Sequence, residues 1–193
     1  MGIANDPVLL EIPERFESER LLIRAPEWGD GAVINEAVRE SIKELRPWMP
    51  WAHHIPTVEE SEAEIRRSRI QFLERKDLRL LFFLKHTGQL AGSSGLHRID
   101  WQARKFEIGY WVRTSLEKQG YVTEAVKAIT NFAITVLQAN RIEIRCDTRN
   151  TRSARVAERS GFTLEGILRN DKCDVNGTLR DTMVFSKVRG IEF

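Results

Sequence analysis

A chain of 193 residues, 41% hydrophobic and 30% charged, can bury a core of its own and does not read as disordered. Thirty Lys and Arg against 28 Asp and Glu leave a formal charge of +2, which argues against a surface given over to DNA or RNA. The two cysteines, Cys146 and Cys173, have neither metal-ligand nor redox-pair spacing, so free thiols in a reducing cytoplasm are expected.

In chain order, residues 1–15 lack the basic start and apolar run of a signal peptide. With Pro7 and Pro13 among them, residues 1–17 are set apart as a loosely held leader, and 18–193 as a single domain. Residues 20–24 form a short β-type run. After Asp30, residues Val33, Ile34, Ala37, Val38, Ile42 and Leu45 fall on one helical stripe that must stop before Pro47. An aromatic loop follows, Pro47-Trp48-Met49-Pro50-Trp51. Thr57 and Glu60 have capping-box spacing and predict a second helix running towards Arg75. Strands are expected over 78–85, 90–98 and 105–112, the first two joined by a turn at His86–Gln89. The most apolar run, 78–84, is too short to cross a bilayer. A helix over 123–137 buries Ala125, Ile129, Phe132, Ala133 and Val136. A strand over 141–147 and a short helix over 153–159 follow. Two last strands flank Asn176-Gly177, a strong hairpin signal. The crossover from 105 to 147 forces one parallel pair, while the hairpins pair antiparallel. The expectation is a mixed α/β fold, with a mostly antiparallel sheet of about six or seven strands and about four helices.

The segment after the strand at 105–112 holds the chemistry. Open sheets bind ligands at the carboxyl ends of strands near a parallel crossover. Here the chain enters a helix through Lys118-Gln119-Gly120-Tyr121-Val122-Thr123. Unpaired amides of a first helical turn make an anion site. Gly120 allows close approach and Lys118 adds charge. An ordinary turn entering a helix reads equally well from this loop alone.

Four blocks in order make the reading specific. Glu107-Ile108-Gly109-Tyr110-Trp111-Val112 with Gln119-Gly120-Tyr121-Val122-Thr123-Glu124-Ala125 resembles the acetyl-coenzyme A motif of the GNAT superfamily. Asn150-Thr151-Arg152-Ser153 with Glu158-Arg159-Ser160-Gly161-Phe162 is similar to its next block. Arg20-Leu21-Leu22-Ile23-Arg24 and the run Leu45 to Trp51 resemble the RimJ/RimL branch, which acetylates N-terminal amines of ribosomal proteins. The resemblance covers roughly residues 18–189. It departs from the family at Glu117, where a polar or basic residue is usual, at Lys118, often a glycine, and at Val122, in place of a small residue.

The resemblance implies an acetyl-coenzyme A dependent N-acetyltransferase. Its acceptor is a protein or peptide α-amine, ribosomal if the branch holds, or alternatively a small amine such as a polyamine, amino-acid analogue or antibiotic. A non-catalytic acyl-coenzyme A sensor is the alternative of another class. Tyr110, Trp111 and Val112 would pair with pantetheine, residues 118–123 would hold the pyrophosphate, and Asn150 would hydrogen-bond pantetheine. Arg155, with Arg149, Arg152 and Arg159, would draw in the 3′-phosphate or form a solvated basic face. Glu107 is the candidate base, through a water, or else a structural carboxylate paired with an arginine. Ser153 is the candidate acid for the thiolate, or the cap of the helix it begins. Trp48, Met49 and Trp51 either wall the acceptor site or plug the core. Asp171 and Asp174 could face a cationic amine. His53, His54 and His97 lack metal-ligand spacing, so no metal, DNA or membrane partner is expected, and a homodimer is left open.

Overall fold

The computed structural model describes residues 6–174 and 176–193. Its elements are β1 (Arg15–Glu17), β2 (Leu21–Arg24), α1 (Gly31–Leu45), α2 (Val58–Leu73), β3 (Leu78–Leu84), β4 (Leu90–Asp100) and β5 (Lys105–Val112). They continue with α3 (Tyr121–Thr135), β6 (Arg141–Asp147), α4 (Thr151–Arg159), β7 (Thr163–Cys173) and β8 (Leu179–Val188). The strands form one eight-stranded sheet in the order β1-β2-β3-β4-β5-β6-β8-β7. Every pairing is antiparallel except β5 with β6, which the α3 crossover makes parallel as expected.

Alternation along the strands feeds two apolar layers. Leu78, Leu80 and Phe82 of β3, with Phe106 and Ile108 of β5, pack under Ala125, Ile129 and Ala133 of α3. On the opposite face Leu81, Leu90 and Trp111 meet Ile34, Val38 and Ile42 of α1 and Ile65 of α2. The capping box of α2 is present in both directions, with Glu60 N–H donating to Thr57 Oγ1 and Thr57 N–H donating to Glu60 Oε2.

Some expectations need correction. Of the leader set apart as 1–17, residues 1–5 lie outside the described ones, and the rest is tied down. Ile12 is buried, and Arg15–Glu17 is an edge strand on β2, the eighth strand that a three-residue run did not signal. Val33 is exposed, and the stripe of α1 is completed by buried Asn35, whose amide donates to the carbonyls of Pro56 and Thr57 and to Ser61. Val136 is exposed just past the end of α3, which stops at Thr135, two residues short of the expected 137. The cap of α4 is Asn150, whose Oδ1 accepts from Ser153 N–H at 3.1 Å, so Ser153 sits inside the first turn instead of capping it.

Candidate active site

β5 and β6 run together over only three residue pairs, Lys105–Arg141, Phe106–Ile142 and Glu107–Glu143. Past Glu107, β5 stays on β4 as far as Val112 while β6 stays on β8 as far as Asp147. The two parallel strands therefore part, and their facing backbone groups no longer pair with each other. Tyr110 stands at this wedge. Its hydroxyl donates to the Ser153 carbonyl at 2.9 Å and lies 3.0 Å from Ser153 Oγ. Burial pushes the phenol's pKa well up, against the opposing pull of the Ser153 bond, so Tyr110 stays a protonated donor. Burial likewise raises the neighbouring Cys146 thiol.

The loop into α3 is shaped for an anion. Lys118 (φ 61°) and Gly120 (φ 83°) are both left-handed, and Lys118 occupies a conformation that glycine adopts at least cost. No side chain caps α3. Its first amides are left without a capping partner, which suits them to a pyrophosphate. Glu117 does not confront that site, because its carboxylate turns to Arg152 at 3.1 Å. Arg20, not foreseen as a site residue, adds a second cation. Its Nε–H donates to Glu124 at 2.6 Å, its Nη1–H donates to the Gln119 carbonyl at 3.1 Å, and its guanidinium stacks on Tyr121. Arg155 is exposed and enters no ion pair among the described residues, while Arg149 is held by Asp147 at 2.7 Å.

On the α1–α2 side of the sheet, a half-open cavity of about 600 Å³ reaches Gly109, Tyr110 and Trp111. Met49 and Trp51 line it, and the Trp51 ring lies 6.3 Å from that of Trp111. Trp48 does not share this wall. It borders a separate hollow of about 170 Å³ with Cys173 and Asp174. Asp174 accepts the N–H groups of Asn176 and Thr178, which is a turn-forming role, and Asp171 is exposed on β7.

Glu107 is absent from the cavity wall. Its Oε2 lies 3.2 Å from Arg98 and 3.8 Å from Arg145, an arrangement of the structural kind. The wall carries instead a pair that sequence reasoning passed over. His97 Nδ1 is 2.7 Å from Asp77 Oδ2, so the ring's Nε2 is left free of that contact. Two glycines make room for the ring. A Cβ at Gly109 would lie 3.2 Å from His97 Cδ2, and one at Gly95 would lie 2.9 Å from Cε1. Among the described residues there is no cluster of three metal-ligating side chains, and no helix is long and apolar enough to cross a membrane.

Known proteins resemble this chain in sequence and fold. The model of the family described as "Acetyltransferase (GNAT) domain" matches residues 20–163. YdaF of Bacillus subtilis strain 168, named as a candidate ribosomal N-acetyltransferase, is 30% identical over 173 residues, covering 89% of this chain and 93% of that protein. The ribosomal-protein-serine acetyltransferase of Escherichia coli K12 is 26% identical over 146 residues, 74% of this chain and 80% of its own. Among solved structures, the microcin C7 self-immunity acetyltransferase MccE, in complex with acetyl-CoA and AMP, superposes with a TM-score of 0.81. It is 26% identical, with 89% of this chain and 93% of that one covered. RimL, the ribosomal L7/L12 α-N-protein acetyltransferase, superposes at 0.82 over 92% of this chain and 97% of its own, a likeness of fold at 22% identity. With its wedge, its uncapped helix and these relatives, the chain belongs to the GNAT family and is an N-acetyltransferase enzyme.

Proposed function

We propose that this acetyl-coenzyme A dependent enzyme transfers the acetyl group to the N-terminal α-amine of a protein or peptide, by direct attack on the thioester. One observation carries the reading: Gly109, Tyr110 and Trp111 belong at once to the wedge strand and to the wall of the large cavity. A donor in the wedge and an amine in the cavity meet there. The half-open mouth beside exposed Trp51 suits a chain end, and the names of the relatives point the same way.

When bound, acetyl-coenzyme A supplies the thioester. The first amides of α3, with Lys118 and Arg20, hold its pyrophosphate, and Asn150 and the backbone of Tyr110, Trp111 and Val112 hold its pantetheine arm. An N–H of β5 facing the thioester carbonyl stabilises the charge that develops on its oxygen. His97 Nε2, with Asp77 fixing the tautomer, takes the acceptor's proton. We assign it that role ahead of Glu107 because His97 lines the cavity and Glu107 lies between two guanidiniums. The Tyr110–Ser153 hydroxyl pair donates a hydrogen bond towards the departing sulfur, which takes its proton from solvent as His97 releases the acceptor's proton there. A thiol with a pKa near ~8.5 leaves readily, so placement supplies more of the rate than acid help.

The cavity volume falls in the range of small-ligand pockets, so acetylation of a small amine is the second reading. Thiol release from acetyl-coenzyme A, followed with peptides and with small amines, decides between them. Turnover with free-N-terminus peptides and none with N-terminally blocked ones is expected. Turnover confined to small amines establishes the second reading, and none with any acceptor overturns both.

A further inference from the structure

The cavity beside Trp111 holds one charge that acetyl transfer does not use. Arg79 projects from β3 with a side chain only 18% exposed. Its Nε–H donates to Ser93 Oγ at 3.3 Å and its Nη1–H donates to Ser68 Oγ at 3.2 Å, both long bonds to neutral hydroxyls. The nearest carboxylate, on Glu64, is 3.8 Å away and 59% exposed, and Glu64 is also 3.6 Å from Arg67. Burial draws the Arg79 pKa downwards, opposed by the more distant charges of Glu64, Asp77 and Asp30.

Other enclosed guanidiniums are satisfied differently, Arg180 among them, whose Nη1–H donates to the Asp147 carboxylate at 3.4 Å. Arg24 holds Asp30 through two bonds of 2.7 Å, and Arg113 is gripped by Glu36 and Glu40. Arg75 has no bonded carboxylate, but it donates to the carbonyls of Phe72 and Leu10 and is not part of the cavity wall. Buried charges are paired. Among these described guanidiniums, Arg79 is the one that lines the large cavity and has no carboxylate at hydrogen-bond distance. Its fork fits a carboxylate or phosphate.

Its position relative to the proton acceptor is also defined. A Cβ built at Gly95 would lie 2.9 Å from Arg79 Cα and 2.9 Å from His97 Cε1. The root of the guanidinium arm and the imidazole thus flank one point on β4. Both side chains line the same cavity, so an anion on Arg79 and an amine at His97 can sit on one small molecule or one chain end.

We propose that Arg79 is the anion-binding element of the acceptor site, and that the acceptor is a primary amine carrying a carboxylate or phosphate close to that amine. The inference rests on the cavity being the acceptor site. Glu64, mostly in solvent and shared with Arg67, is the group the incoming anion displaces from Arg79. The anion arrives either on an acidic side chain in the first residues of a peptide or on a small amino acid or amine phosphate.

The test compares matched acceptors in the thiol-release assay: peptides beginning with Asp or Glu against Asn or Gln, and free amino acids and amine phosphates against their neutral amides. The acidic member of each pair is expected to have the lower KM, and the arm that turns over identifies the source. Arg79→Met raises the KM of the anionic acceptor roughly a hundredfold and leaves that of acetyl-coenzyme A unchanged, while Arg79→Lys falls between. Inorganic phosphate, tested on the unaltered protein with acetyl-coenzyme A saturating, inhibits competitively against the acceptor. This arm does not depend on the variants folding. Equal KM values within pairs, or no competition by phosphate, overturn the inference while leaving acetyl transfer intact. Absence of turnover with every acceptor overturns both.

Discussion

His97 and Glu107 are register partners on neighbouring strands, yet they serve different neighbourhoods. His97 leans on Asp77 at the cavity wall, whereas Glu107 lies between Arg98 and Arg145. His97→Gln is therefore expected to lower kcat about a hundredfold or more, the usual scale for losing a general base, with the KM of acetyl-coenzyme A unchanged. Asp77→Asn should follow it in direction, because an amide no longer selects the same tautomer. Glu107→Gln should cost less than tenfold. Steady-state kinetics on the three variants check the ranking, and the reverse order gives the base role to Glu107. The His97–Asp77 pair was not legible in the sequence for a definite reason. Counting the β3–β4 register back from the Phe83–Leu90 pair beside the turn would set Asp77 opposite Leu96. The bulge at Phe82/Phe83 shifts the register, pairing Leu78 with Leu96 and bringing Asp77 beside His97.

At the scale of the element, what was legible was local. The Thr57–Glu60 box, the strand at 105–112 and the α3 stripe up to Ala133 each depend on spacings of a few residues, and each is present. α4 was misjudged by two residues because Asn and Ser are both good caps and only geometry chooses between them. The choice has a consequence. Asn150→Ala is expected to cost about 1 kcal/mol of stability, measured by denaturant unfolding, and to loosen the backbone that presents Ser153. Ser153→Ala removes the hydroxyl facing Tyr110 and keeps the cap, so it should slow turnover with a smaller stability loss. If the alanine at 153 destabilises more than the one at 150, the assignment of the cap is wrong. Leader, edge and loop residues such as Arg15–Glu17 and Trp48 were not legible because their placement depends on distant partners.

For the molecule as a whole, the parallel crossover was readable from order alone, since strand–helix–strand connectivity permits little else. Charge distribution was not. Arg141 of β6 bonds Glu143 on its own strand and Glu165 on β7, so one guanidinium spans β8 between them. Arg141 holds the Glu165 carboxyl down at about 2 from its ordinary 4.5. Burial pushes Glu143 up, but Arg141 and Lys105 together keep it below its usual range. A carboxylate depressed in the folded state favours the fold above its unfolded pKa, and that contribution fades as protons return. Stability should therefore fall between pH 4.5 and about 2. Glu165 is partly exposed, so its share is modest. Arg141→Gln should melt below the parent at pH 7, and the two melting temperatures should converge near pH 2, as scans across that range will check. A constant gap would mean that Arg141 acts by packing and not by charge.

The parting of β5 from β6 has one further consequence. Because only three residue pairs join them, the eight strands amount to two half-sheets with a short common seam. Amide protons on the open side of Ile108–Val112 sit mid-sheet yet lack the partners that slow isotope exchange, so they should take up deuterium as edge amides do. Adding coenzyme A without any acceptor should slow uptake there and across Ile144–Asp147 together. Protection on one bank only would place the donor elsewhere. The coenzyme then fastens the two halves of the sheet together, and its departure leaves them joined by the seam alone.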